Sequence, residues 1–127
     1  MPDTAADWHR LCTANDLSVE GTRIRVAFDN GRSHRVRVHE TDDGYLLTAT
    51  IVGWNVVQGL DEPYGMVWSR NRHSRLVGYR IDGSGALVAH GWTPRAGLTA
   101  KAFQALVRTI AREADRYELQ LTGRDRR

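Results

Sequence analysis

The chain has 127 residues, of which 41% are hydrophobic and 26% charged, and its 18 basic and 15 acidic side chains give a formal charge of +3. That size and balance fit one soluble domain and exclude a disordered chain, and no apolar run approaches the ~20 residues of a membrane span. The single cysteine, Cys12, excludes a disulfide framework and a thiolate zinc site, and three net charges are too few to indicate a nucleic-acid or acidic partner by themselves.

The opening stretch MPDTAADWHRL is neither basic nor apolar enough for a signal peptide, so a cytoplasmic protein is expected. Thr4 and Asp7 have capping-box spacing. Trp8, Leu11 and Cys12 follow at helical intervals, predicting a short amphipathic helix over roughly residues 4–15. The next stretch, TRIRVAFDNGRSHRVRV, alternates: Ile24, Val26 and Phe28 share one face and Arg23 and Arg25 the other, and after the turn Val36 and Val38 alternate with Arg35, Arg37 and His39. A two-residue Asn30-Gly31 loop would set Val26 against Arg35. A three-residue loop of Asp29, Asn30 and Gly31, with the glycine left-handed, pairs Ile24 with Val36, Arg25 with Arg35 and Arg23 with Arg37, so each face stays consistent.

Asp42-Asp43-Gly44 signals a turn before a third strand at about residues 45–53, with Leu47, Ala49 and Ile51 inside and Thr48 and Thr50 beside the arginines. Asp61 and Glu62 before Pro63 mark a helix of about two turns that carries Met66, Val67 and Arg70 on neighbouring faces. RLVGYRIDGSGALVAH then reads as a hairpin turning at Gly83-Ser84, with Val77, Tyr79, Ile81, Ala86, Val88 and His90 on one face. The final helix has Thr99 as its cap, Leu98 stapled to Phe103, and a stripe of Leu106, Val107, Ile110, Ala114 and Tyr117. The expected architecture is one α+β domain over residues 1–122, ordered helix, three strands, short helix, two strands, helix, with helices on one face of an antiparallel sheet. GRDRR, residues 123–127, follows as a basic tail.

Arg23, Arg25, Arg35 and Arg37 have two readings. They are a solvated outer face whose stems cover the strands, or a docking surface for an acidic segment or phosphate. A sheet that reads nucleic acid normally interleaves aromatics for base stacking, and the predicted arginine face has none. Trp54 and Trp68 flank or lie in the loosely patterned middle segment, and with Met66 and Val67 they are candidates for a dimer or partner interface. No pair of the five histidines has a metal-site spacing such as HExxH, GSG precedes a strand rather than a helix, and no nucleophile motif is present. Neither metal, cofactor nor catalytic residue is expected.

The second half of the chain resembles the YbjN-like family of bacterial proteins, which share the fold of type III secretion chaperones. Asn71-Arg72 precedes a strand, a hairpin turns at Asp82-Gly83-Ser84-Gly85, and after Pro94 the tripeptide GLT opens a final helix that runs into EADRY. The resemblance implies a homodimeric, non-enzymatic adaptor that binds a segment of a partner protein, with Met66, Val67 and Trp68 near the twofold axis. Secretion chaperones are typically acidic, whereas this chain is basic. Partner binding is therefore what carries over, and the arginines would select an acidic client by charge. A nucleic-acid-binding regulatory domain using the arginine face is the alternative.

Overall fold

The computed structural model describes residues 5–123, with side chains from Trp8 onward. The Thr4–Asp7 capping pair lies outside the described side chains, and of the basic tail only Gly123 is described. The first element is a 3₁₀ helix, Ala5–Cys12, tighter and shorter than the α-helix expected over 4–15. It buries Trp8 and Cys12, and Gln104 of the last helix donates from its amide to the Leu11 carbonyl at 2.8 Å. Arg108 adds two charge-assisted hydrogen bonds to Asp16, at 2.8 and 2.9 Å, which hold the Asp16 carboxyl below its ordinary range.

Six antiparallel strands follow: β1 (Leu17–Glu20), β2 (Arg23–Ala27), β3 (Ser33–Glu40), β4 (Gly44–Val52), β5 (Gly78–Ile81) and β6 (Leu87–Pro94), in spatial order β1-β2-β3-β4-β6-β5. β1 is the strand the sequence pattern did not predict. It is an outer strand that buries only Leu17, so it carries no alternating signal. The β2–β3 hairpin has the expected register, Ile24 opposite Val36 and Arg25 opposite Arg35, because Gly31 at φ 88° closes a three-residue loop between Phe28 and Arg32.

The second hairpin departs from expectation by one residue. Ile81 pairs with Leu87 and Tyr79 with Ala89, since its loop is also three residues long, Gly83 to Gly85, with Gly85 at φ 87°. A one-residue slip exchanges the faces of a strand. Leu87 and Ala89 therefore join Tyr79 in the core, while Val88 and His90 turn to the arginine side.

Between β4 and β5 lie two helices, the four-residue α1 (Trp54–Val57), not anticipated, and α2 (Pro63–Arg72), a turn longer than expected. Asn71 ties α2 to the sheet edge, donating to the Tyr79 carbonyl at 2.8 Å and accepting from the Tyr79 N–H at 2.7 Å. The long helix α3 (Ala100–Thr122) starts where the Thr99 hydroxyl accepts from the Ala102 N–H and ends at left-handed Gly123. Its stripe of Phe103, Val107, Ile110, Ala111, Ala114 and Tyr117 packs on Ile24, Val36, Leu47, Ala49 and Leu87 to form the core. Each large side chain buried this way contributes about 1.5–3 kcal/mol. The sheet thus has one face under α3 and one face open. Among the described residues no helix is long and apolar enough to cross a membrane.

Candidate functional site

The open face of the sheet is cationic because strand alternation leaves it so. Arg23 stands opposite Arg37, Arg37 opposite Thr48, Thr48 opposite His90 and His90 opposite Gly78, so one row crosses five strands. In the adjoining row Ser18 opposes Arg25 and Arg25 opposes Arg35. The four predicted arginines therefore do share a face. Arg23, Arg35 and Arg37 line a concavity of about 480 Å³ with His39, Thr48, Thr50, Val88, Arg80 and Asp82, while Arg25 stands beside it. Arg80 was not among the predicted arginines, although alternation with Tyr79 and Ile81 already turns it outward; the correct loop length adds His90 to this face.

The electrostatics follow from that crowding. Burial and then the Arg37 and Arg80 guanidinium groups push the His39 imidazole below its ordinary pKa, and burial and then Arg80 do the same to His90. Both rings are neutral to lower pH than an isolated histidine. His39 Nε2 lies 3.0 Å from the Thr48 hydroxyl. Arg35 is paired with Glu20 at 3.0 Å, with both side chains partly exposed. The expectation that this face carries no aromatic is corrected: Trp92, opposite Leu46 on β4, stands half-exposed at one end of it. A Cβ on Gly44 would come within 2.7 Å of the Trp92 ring, so a glycine is needed for the indole to cross there.

Other large apolar side chains are exposed outside the arginine rows. Trp54, Tyr64, Trp68 and Leu76 are 58–72% exposed. Between α1, α2 and the second hairpin, a hollow of about 560 Å³ is lined by Trp54, Val57, Leu60, Tyr64 and Ile81. Of the four residues singled out as an interface, Trp54 and Trp68 present their rings to solvent, whereas Met66 and Val67 are half-buried against the core. The Arg70 guanidinium covers the Tyr117 ring at 3.7 Å, and that of Arg72 lies over Trp68 at 4.9 Å.

The two outer strands differ. At β5 the Asn71 amide occupies the backbone N–H and C=O of Tyr79, which blunts that edge. At β1, Ser18, Val19 and Glu20 are all exposed, directly beside the arginine rows.

No family model matches the chain, and no curated protein does. Among solved structures, a chain in the crystal structure of the ExsC–ExsE complex superposes with a TM-score of 0.65 at 20% identity, over 94% of this chain and 97% of that one. A chain in the structure of the HopA1–SchA chaperone–effector complex covers 82% of this chain at 16% identity, with a TM-score of 0.47. The first likeness establishes the fold: an α+β domain with an antiparallel sheet and a C-terminal helix, of the class expected from the sequence.

Proposed function

We propose that the chain is a non-enzymatic, chaperone-like adaptor that holds an extended, acidic segment of a partner protein, and that it works as a homodimer. The observation that carries this reading is the exposed edge strand β1 lying directly against the arginine rows of an uncovered sheet face. An extended client adding to that edge gains main-chain hydrogen bonds, and its outward carboxylates meet Arg25, Arg23 and their neighbours. The fold likeness to a chain found in a two-protein complex, and the resemblance to the YbjN-like family, both point to partner binding. We assign the dimer contact to α1 and α2, where Trp54 and Trp68 are exposed and large aromatic rings are typical interface anchors.

The test is affinity capture from the native host with three baits: the natural chain, Arg25→Glu with Arg35→Glu, and Trp68→Ala. A protein retained by the first and lost by the second supports the adaptor. Sedimentation should give a dimer for the natural chain, shifted towards monomer by Trp68→Ala; a monomer at every concentration refutes the dimer. A nucleic-acid-binding regulatory domain is the second reading, favoured by Trp92 on the arginine face. It predicts random-oligonucleotide binding whose log–log salt slope is about −3 to −4, for roughly four phosphate contacts.

A further inference from the structure

On the core side of the sheet three chelating side chains meet, one of which, His34, also borders the arginine concavity. His34 comes from β3, and Asp115 and Glu118 come from one face of α3, three residues apart. All three residues are 4% exposed or less. One ligand atom from each lies within 4.8 Å of the others.

The spacing is informative. His34 Nδ1 is 3.7 Å from Asp115 Oδ1 and 4.0 Å from Glu118 Oε1. Both distances are beyond hydrogen-bond range. Two ligands bonded at ~2.0–2.2 Å to one tetrahedral metal ion stand about 3.4 Å apart, so the imidazole nitrogen is within a few tenths of an ångström of that spacing from each carboxylate, and side-chain adjustment within the 4.8 Å cluster brings the three atoms around a common centre.

Two further features prepare the cluster for an ion. His34 Nε2 lies 2.7 Å from the Thr50 carbonyl, which can only accept, so Nε2 carries the proton and Nδ1 turns a lone pair toward the carboxylates. That is the outer contact which ordinarily fixes a ligating histidine. Asp115 is oriented in the same way: Arg32 holds Oδ2, with Nε at 3.1 Å, while the buried Oδ1 facing His34 makes no hydrogen bond among the described residues. A buried carboxylate oxygen left in that state is costly unless a cation meets it.

We propose that His34, Asp115 and Glu118 form a binding site for one divalent transition-metal ion, with zinc the best fit. One imidazole nitrogen and two carboxylate oxygens, with water in the fourth position, suit zinc's preference for four mixed N and O ligands. Magnesium and calcium require six or more oxygen ligands, which this buried cluster does not supply. The ion would clamp α3 to the strand whose alternate residues, Arg35 and Arg37, face the other way. The site is independent of the adaptor reading.

The experiment uses the full chain, stripped with a chelator and then equilibrated with Zn²⁺ alone and, separately, with Co²⁺. We expect one zinc bound per chain, a higher melting temperature with zinc, and cobalt absorption of tetrahedral intensity that zinc abolishes. Glu118→Gln should weaken zinc by at least ~100-fold, beyond the 10–100-fold typical of losing an outer contact. His9→Gln with His73→Gln should leave binding unchanged. Because altering the cluster can disturb folding, the cobalt spectrum and the zinc-dependent melting shift are read on the unaltered chain. Sub-stoichiometric binding in excess zinc, a weak octahedral-type cobalt spectrum, or binding that survives Glu118→Gln and disappears with the surface histidines would each overturn the proposal. So would a doubly protonated His34 in a chain indifferent to zinc, since a proton would then fill the ion's place.

Discussion

Replacing Arg25 by glutamate separates what the arginine face costs in stability from what it contributes to binding. Arg25 stands directly opposite Arg35. Like charges facing each other across a sheet cost a few tenths to about 1 kcal/mol and opposite charges return a similar amount, so Arg25→Glu reverses the sign of the pair for a nominal gain of about 1 kcal/mol. Arg35 reaches solvent and already engages Glu20 at 3.0 Å, so we expect roughly half of that, about 0.5 kcal/mol in favour of folding. For a chain of this length the gain corresponds to a rise in melting temperature of about 2 °C. The same change removes one positive charge from the docking face and adds a negative one, and association with an acidic peptide such as poly-glutamate should slow about tenfold at low ionic strength. Urea denaturation and stopped-flow association, each run at low and high salt, measure the two effects, and both should fade at high salt. A loss of stability above ~1 kcal/mol would mean that Arg25 is a structural side chain. A gain in stability with association unchanged would mean that the face is only solvated, and the charge-selection argument would fail.

Three other outcomes follow from the structure. His39 and His90 have folded pKa values below the ordinary 6.5, so the unfolded chain takes up protons first; their contribution to stability is whole above pH 6.5 and is lost as the pH falls through the folded values. His39→Gln with His90→Gln should flatten that part of a urea-stability profile, and an unchanged slope would assign the loss to other groups. Gly44→Ala should destabilise by about 3 kcal/mol, because a Cβ there falls 2.2 Å from the Thr93 carbonyl oxygen within the β4–β6 ladder; a melting temperature within a degree of the parent would contradict the packing described. The Cys12 thiol is buried and pushed up to about 11 by desolvation, so a disulfide reagent should label it at the rate of unfolding, and rapid labelling of the native chain would show the first helix open.

Much of the fold was legible in the sequence because it is set by local periodicity. The β2–β3 register could be read since only a three-residue loop keeps Ile24 with Val36 and the arginines together, and the α3 stripe and Thr99 cap follow from helical spacing. The same loop rule, applied at Gly83 to Gly85, would have given the second hairpin, but a two-residue turn also leaves apolar residues on each side there, so the pattern did not discriminate. β1 escaped notice because an outer strand that buries one residue has no period to detect.

Sequence alone determined which side chains alternate, and hence that four arginines share a surface opposite the core, since a strand fixes facing by parity. Only the tertiary structure decided what that surface adjoins and what lies beneath it: Arg80 and His90 joining the face, Asn71 closing one edge while β1 leaves the other exposed, and His34 meeting α3. Arg32 and Asp115 are 83 residues apart, and no local spacing encodes a contact made by laying a helix across a sheet. That crossing is fixed by the packing of the whole core, to which every buried residue contributes and which no single motif records.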